Sequence, residues 1–154
     1  KPKNILDLAC GTGLFGIELK KIYPKSNIYG SDISKKSLKI SSGKKIYIKL
    51  KNKNFEELHY FNTKFDLISL IGSMTYCKNF KKLFANINKN IKKKGFVLFT
   101  HRVDLWKQQD FFNILKTYQK TFKITKISRP LNYLPLNKDF KNKIKIKIVL
   151  LQKY

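Results

Sequence analysis

Short apolar runs alternate along the chain with stretches whose apolar residues recur every three or four positions. Five such runs occupy residues 4–9, 27–31, 46–51, 65–71 and 96–100, and each predicts a strand. Four other stretches predict helices: Phe15, Leu19, Ile22 and Tyr23, ended by Pro24; a helix capped by Ser34 that extends to about Ser42; Phe80, Leu83, Phe84, Ile87 and Ile91, ended by Gly95; and Phe111, Phe112, Leu115 and Tyr118. Strand followed by helix, repeated, predicts an α/β fold with a doubly wound, mostly parallel sheet and helices on both faces.

The last part of the chain departs from this alternation. Residues 122–128 and 143–151 predict two more strands, and the connection 129–142 holds two prolines and no helical stripe. We therefore expect a loop there, and an antiparallel final pair in a seven-stranded sheet. Lysines at 143, 145 and 147 alternate with isoleucines, which predicts a hairpin arm projecting past the covered sheet. The lysine tract at residues 92–94 predicts a solvated turn. We expect residues 1–154 to form a single domain.

Charge and cysteine content narrow the class of protein. The 154 residues include 34 Lys and Arg against 9 Asp and Glu, a net charge of +25, and only Arg102 and Arg129 are arginine. Lysines spread over the whole chain indicate a solvated surface, with RNA kept as an alternative partner, and their repulsion favours a monomer. Cys10 and Cys77 are too few for a disulfide framework, and with two histidines they form no spaced metal site. We expect a cytoplasmic protein without a metal or a membrane span.

The first predicted strand leads into a glycine turn. Gly11, Gly13 and Gly16 spell G-x-G-x-x-G, and Asp32 follows Gly11 by 21 residues, a spacing that suits an adenosine cofactor whose ribose hydroxyls bind the acid. Asp7 lies only four positions before Gly11. A pyrophosphate would be repelled by that carboxylate, whereas S-adenosylmethionine carries an ammonium that the carboxylate can hold. A nicotinamide-dependent oxidoreductase remains the alternative.

Four segments carry a family resemblance. ILDLACGTG at residues 5–13 resembles the first motif of the class I, Rossmann-like S-adenosylmethionine-dependent methyltransferases. GSDIS at residues 30–34 resembles their second motif, FDLISLIGSMTY at 65–76 their fourth strand and its loop, and KKKGFVLFT at 92–100 their fifth strand. The resemblance implies the strand order 3-2-1-4-5-7-6 with a terminal antiparallel pair.

The same resemblance implies a cofactor site. It places the methionine part near Asp7, Ala9, Gly11 and Gly13, the ribose on Asp32, and the adenine against Ile33, Asn54 and Phe55, with Ile71 and Gly72 closing the other side. Cys10 is expected in the turn beside the cofactor, as a small filler and not as a nucleophile, because no His or Lys is placed by sequence to lower its pKa. The family often has glycine in place of Ala9, which alanine replaces without strain only if φ is negative. Asn54 stands where the family has an acid. Its amide can still donate to and accept from an adenine edge, so this departure bears on the affinity for the cofactor and not on the cofactor's identity.

The acceptor side is expected after the fourth and fifth strands, where ligands gather in open α/β sheets. Tyr76, His101 and Arg102 are the candidates. His101 and Tyr76 are candidate bases, but methyl transfer from a sulfonium does not require one, and His101 bonded to a nearby carbonyl is an equal alternative. Arg102 suits a carboxylate or phosphate on the acceptor, or else forms a surface ion pair. Trp106 and Tyr133 are expected to pack rather than to line a pocket.

The function expected from these residues is methyl transfer to a small-molecule acceptor. Methyl transfer to RNA and cofactor binding without turnover are the competing hypotheses. The hypothesis of binding without turnover arises because the chain begins close to the first strand, without the helices that usually cover the cofactor in such methyltransferases. If no cap segment lies upstream, we expect an open site that binds the cofactor weakly and admits water.

Overall fold

The computed structural model of the protein describes residues 1–58, 61–133 and 144–154. The strands are β1 (Asn4–Leu8), β2 (Asn27–Asp32), β3 (Tyr47–Asn52), β4 (Phe65–Leu70), β5 (Ile91–Arg102), β6 (Phe122–Ile127), β7 (Leu131–Asn132) and β8 (Lys145–Lys153). The helices are α1 (Leu14–Ile22), α2 (Lys35–Gly43), α3 (Phe80–Asn90), α4 (Val103–Gln108) and α5 (Phe111–Lys116), and a 3-10 turn spans Met74–Tyr76.

One sheet runs through the domain in the order β3-β2-β1-β4-β5-β8-β6. Strands β1 to β5 pair in parallel, while β8 lies antiparallel between β5 and β6. The predicted α/β class and the antiparallel end are confirmed. The strand count rises from seven to eight because β7 pairs with the start of β8, and without β7 the order is the predicted one.

Strand β1 is covered on both faces because its side chains alternate between them. Leu6 and Leu8 pack into the larger core, which includes buried residues of α3 and α5. Ile5 packs on the opposite face with Leu19 of α1, and by its place in the strand Asp7 shares that face. Burial on both sides explains why Ile5, Leu6 and Leu8 are all apolar, with Asp7 as the one charged residue of the strand.

Four local predictions differ from the structure: the end of the third helix, the turn at 92–94, the loop at 129–142 and the projecting arm. Helix α3 ends at Asn90 instead of at Gly95, and residues 92–94 lie within β5, where the pairing jumps from Phe65 with Ile91 to Leu67 with Phe96. The expected turn is therefore a bulge that accommodates the extra residues. Strand β7 occupies part of the expected loop at 129–142. Residues 134–142 of that loop, and residue 143 of the expected last strand, lie outside the described part. The hairpin arm does not project past the sheet, because β5 extends to Arg102 and pairs there with Ile146.

Candidate functional site

The turn after β1 holds the backbone in left-handed conformations at three positions. The φ angle is 52° at Ala9, 53° at Gly11 and 83° at Gly13, the residue that precedes α1. The Gly13 amide donates to the Cys10 carbonyl at 2.9 Å, which closes the turn. The condition under which we expected Ala9 to replace glycine without strain is thus not met, since φ is positive there.

Asp32 ties this turn to the end of β2. One carboxylate oxygen accepts from the Gly11 amide at 2.9 Å, and the other accepts from the Ser34 amide at 2.8 Å. Ser34 in turn caps α2, as predicted, by accepting from the Ser37 amide. The Asp32 side chain therefore holds two backbone segments in place and also lies at the mouth of a cavity.

Asp7 is an interior carboxylate. It is 1% exposed, and its oxygens accept from the Tyr47 hydroxyl at 2.7 Å and the Ser69 hydroxyl at 3.0 Å. Burial raises the pKa of Asp7 to about 6, against the lowering effect of the two hydroxyls, and the charge of Asp32 adds to the rise. The sequence analysis did not identify Tyr47, because nothing in a tyrosine at the start of a strand indicates a partner 40 residues away.

Two adjoining cavities lie at the carboxyl ends of the parallel strands. The cofactor-side cavity, of about 220 Å³, is lined by Ala9, Asp32, Ile33, Lys53, Phe55, Ile71, Gly72, Ser73 and Tyr76. The turn-side cavity, of about 270 Å³, is lined by Asp7, Ala9, Cys10, Gly11, Thr12, Leu14, Phe15 and Ile71. The two share Ala9 and Ile71, so together they form a continuous cleft.

The structure brings most of the predicted cofactor residues to this cleft. Gly13 lines neither cavity; a Cβ added to it would lie 3.1 Å from the Tyr47 ring. Asn54 is exposed, and its side-chain oxygen accepts from the Glu56 amide at 2.9 Å, which forms a local turn. Lys53 and Ser73 line the cofactor-side cavity without having been predicted. The Ser73 hydroxyl is buried and has no hydrogen-bond partner within the described part of the chain.

A third cavity, of about 210 Å³, joins the cleft at Gly72 and Tyr76. We call it the acceptor-side cavity; it is lined by Gly72, Thr75, Tyr76, Thr100, His101, Arg102, Tyr133, Ile144 and Ile146. Arg102 is paired with Asp104 through its Nε at 3.1 Å, and 75% of Tyr76 is exposed. All three predicted acceptor-side residues therefore surround one cavity beside the cleft.

His101 lies in strand β5, not in a loop, and its side chain is buried. It is 1% exposed, its Nε2 lies 2.9 Å from the Gln109 side-chain oxygen, and its ring contacts those of Trp106 and Phe111. No partner of its buried Nδ1 is found among the described residues. Burial lowers the pKa of His101, so the ring is neutral at neutral pH and able to accept a proton.

Trp106, Tyr133 and Cys10 are the remaining residues that the sequence analysis discussed. Trp106 is 8% exposed and packs on Phe111, with the Lys147 ammonium 4.9 Å above its ring, whereas Tyr133 lines the acceptor-side cavity. Burial raises the pKa of Cys10 to about 12, which keeps the thiol protonated and fits the role of a filler.

Neither a metal site nor a membrane-spanning helix is found among the described residues. No group of three His, Cys, Asp or Glu side chains in residues 1–58, 61–133 and 144–154 is placed to hold a metal ion. No helix in the same ranges combines the length and apolarity needed to cross a bilayer.

The sheet is parallel except for its last part, where β8 lies antiparallel between β5 and β6. Its glycine turn is faced by an acid from β1 and an acid from β2. These features define a Rossmann-like cofactor-binding domain of the methyltransferase type. The chain belongs to the methyltransferase domain family, whose model matches residues 1–139. The family predicted from the sequence is therefore confirmed, in preference to the nicotinamide-dependent alternative.

Relatives by sequence include two malonyl-[acyl-carrier protein] O-methyltransferases. The one from Legionella pneumophila is 28% identical over 102 residues, which covers 64% of this chain and 36% of the relative. The one from Ilyobacter polytropus is 34% identical over 104 residues, which covers 63% of this chain and 38% of the relative. The chain thus spans little more than a third of the length of these curated relatives.

Solved structures share the fold at low sequence identity. The plantazolicin methyltransferase BpumL, crystallised with a pentazolic desmethylPZN analog and S-adenosylhomocysteine, has a TM-score of 0.79 at 14% identity, covering 99% of this chain and 77% of that one. An O-methyltransferase from a Brevibacillus brevis polyketide multienzyme, crystallised with S-adenosylhomocysteine, has a TM-score of 0.74 at 19% identity, covering 99% and 67%. The cofactor expected from the sequence agrees with the ligand bound in these two neighbours.

Proposed function

We propose that this chain is the catalytic domain of an S-adenosylmethionine-dependent methyltransferase that acts on a small molecule carrying a carboxylate or phosphate. The observation that supports the proposal most directly is the meeting of two differently equipped cavities at Gly72 and Tyr76. The first has the Asp32 carboxylate and an apolar lining suited to adenosine, and the second has the Arg102 guanidinium.

The cofactor-side cavity fits adenosine chemically. A carboxylate offers about four lone-pair directions, and the protein uses one on each oxygen of Asp32, which leaves capacity for the ribose hydroxyls. Ile33 and Phe55 offer apolar surface to the adenine. The Ser73 hydroxyl, which has no hydrogen-bond partner among the described residues, offers a polar contact at the same cavity. Asp7 and the amides of the glycine turn would hold the charged methionine end.

The chemistry places few demands on the protein. The bound cofactor supplies an electrophilic methyl group, and the protein must orient the acceptor in line with it and exclude water. Tyr76 lies at the junction of the cavities and would cover the reacting atoms, while Arg102 would anchor the acceptor through its negative charge. Neutral His101 is the residue placed to take a proton where the acceptor carries one.

The relatives support an oxygen acceptor. Two of the curated relatives and one solved neighbour are named O-methyltransferases, and a carboxylate or phosphate held by Arg102 would bring oxygen atoms to the cavity. The spread of lysines over the surface offers no comparable support for RNA, because it contains no cluster of arginines.

Calorimetric titration with S-adenosylmethionine, S-adenosylhomocysteine and NAD tests the cofactor part of the proposal. We expect binding of the first two and none of the third. Asp32→Ala should bind S-adenosylmethionine more weakly, whereas Glu18→Ala, whose carboxylate is exposed on α1, should bind it as the unaltered chain does. Binding of NAD alone would overturn the proposal. Transfer of labelled methyl groups to a panel of small carboxylates, phosphates and neutral alcohols then tests the acceptor class, and preference for the neutral set would overturn the role of Arg102.

A further inference from the structure

The phenol of Tyr47 occupies a slot left open by three glycines. A Cβ added to Gly16 would lie 2.3 Å from the Tyr47 hydroxyl, one added to Gly30 would lie 2.9 Å from the ring, and one added to Gly13 would lie 3.1 Å from it. Contacts below 3.0 Å require something to move. The third glycine of the G-x-G-x-x-G sequence therefore makes room for a side chain of the protein itself.

The slot lets Tyr47 reach across a neighbouring strand. Tyr47 begins the edge strand β3, and β2 separates it from β1. On β2 the residue paired with Asp7 is Gly30, which has no side chain to block the way. The phenol passes over Gly30 and its hydroxyl ends 2.7 Å from the Asp7 carboxylate.

The surroundings of Asp7 leave its charge dependent on hydroxyl groups. Ser69, paired with Asp7 on β4, donates from the other side at 3.0 Å. Within residues 1–58, 61–133 and 144–154, the ionisable groups that face the carboxylate are Asp32 from β2, the Cys10 thiol from the turn and Tyr47 from β3. None of these is a cation, so hydrogen bonds from Tyr47 and Ser69 are the contacts that favour the ionised form.

We propose that Tyr47 is a positioning residue for cofactor binding: its hydroxyl keeps Asp7 ionised and fixes the orientation of the carboxylate that receives the ammonium of the cofactor's methionine part. The inference rests on the proposed function, in which Asp7 faces that ammonium. Tyr47 itself lines neither cavity of the cleft, so its effect passes through Asp7.

Tyr47→Phe tests this role, because it keeps the ring in the slot and removes only the hydroxyl. The pKa of Asp7, about 6 in the unaltered chain, is expected to rise in the variant when followed by carboxyl-carbon NMR. S-adenosylmethionine should bind about ten-fold more weakly near neutral pH, the scale of a lost hydrogen bond to a charged group. The affinity for S-adenosylmethionine should rise with pH as Asp7 loses its proton, because binding requires the carboxylate form. In Tyr47→Phe this rise should occur at a higher pH than in the unaltered chain.

Adenosine is the discriminating probe, because it lacks the ammonium. Its affinity should not change in Tyr47→Phe, whereas a general loosening of the site would weaken both ligands. Tyr29→Phe is the matched control, since Tyr29 lies on β2 and packs against Phe61 and Phe65 in the larger core. In an Asp7→Asn background, Tyr47→Phe should weaken S-adenosylmethionine binding no further.

The outcomes separate the two proposals. If the unaltered chain binds S-adenosylmethionine and Tyr47→Phe binds it equally well, the positioning role is wrong and the proposed function stands. Equal weakening of adenosine and S-adenosylmethionine would likewise overturn the positioning role. If the unaltered chain binds no S-adenosylmethionine, the proposed function and the positioning role are both overturned.

Discussion

The carboxylate of Asp32 accepts a hydrogen bond from the Gly11 amide at 2.9 Å, which joins the turn after β1 to the end of β2. The two residues are 21 positions apart in the chain, and the spacing is that of one strand-helix-strand unit. The same carboxylate lies at the cofactor-side cavity. Asp32 thus connects the shape of the glycine turn to the place where a ribose would bind, so its loss should affect both.

Asp32→Ala is expected to weaken S-adenosylmethionine binding by about 1 to 3 kcal/mol, because the ribose hydroxyls lose a charged acceptor. The free energy of unfolding should also fall, by about 1 kcal/mol, since the Gly11 and Ser34 amides lose their partner. Calorimetry and chemical denaturation measure the two effects. Unchanged affinity would remove the ribose assignment.

Asp7→Asn is expected to stabilise the protein at neutral pH while weakening S-adenosylmethionine binding. Burial raises the Asp7 pKa from 3.8 to about 6. Between these two pH values the folded state therefore keeps a proton on Asp7 that the unfolded state has already released. The stability that this proton contributes is complete below about pH 4 and is lost as pH rises through 6, by up to about 3 kcal/mol. Asparagine does not titrate and avoids this loss.

Denaturation of the unaltered chain and Asp7→Asn at about pH 7 and about pH 4 checks that prediction. The stability difference should be largest at the higher pH and shrink at the lower one. A difference that is the same at both values would contradict the interior position of the charge.

Gly16→Ala and Gly43→Ala form a matched pair of helix substitutions. The added methyl at Gly16 meets the Tyr47 hydroxyl at 2.3 Å, while at Gly43 nothing lies within 4 Å. We expect Gly16→Ala to lower the free energy of unfolding by about 1 to 3 kcal/mol through overpacking. Gly43→Ala should leave it unchanged or raise it by up to about 1 kcal/mol, because alanine favours the helix. Thermal denaturation of both variants measures the contrast, and equal effects would contradict the slot.

The two alanines of the chain should respond in opposite directions to replacement by glycine. Ala9 has a φ of 52°, whereas Ala85 lies on the exposed face of α3. Ala9→Gly is expected to be neutral or to stabilise by about 1 kcal/mol, since strain at a left-handed residue is relieved. Ala85→Gly should destabilise by about 1 kcal/mol. Destabilisation of both in a denaturation series would show that the turn holds Ala9 without strain.

Periodicity predicted the parts of the fold that depend on neighbouring residues. Alternating strands and helices indicated a doubly wound, mostly parallel sheet, and the glycine spacing located the turn and Asp32. The order of the strands came from the family resemblance and not from periodicity. The slot around Tyr47 was not predictable, because its walls at Gly13, Gly16 and Gly30 come together only when the sheet has formed.

Two other features depend on tertiary packing in the same way. His101 is buried because α4 and α5 fold over it and place Gln109 and Phe111 against its ring. The bulge at residues 92–94 follows from the pairing of β4 with β5. A lysine tract carries no local signal that separates a bulge from a turn.

Arg102→Ala should impair methyl transfer without altering cofactor binding. Arg102 lines the acceptor-side cavity and is absent from the lining of the other two, and its partner Asp104 lies outside all three. Loss of the cation removes an anchor for the acceptor's negative charge, so KM should rise about ten-fold or more, the scale of a charge-assisted hydrogen bond, while the affinity for S-adenosylhomocysteine stays the same.

Arg129→Ala is the matched control, because it removes the other arginine from an exposed position away from these cavities. Arg102→Lys keeps the charge but not the two-pronged geometry, so it should recover activity only in part. A KM that is equally changed by Arg129→Ala would show that overall charge, and not the acceptor-side cavity, attracts the acceptor.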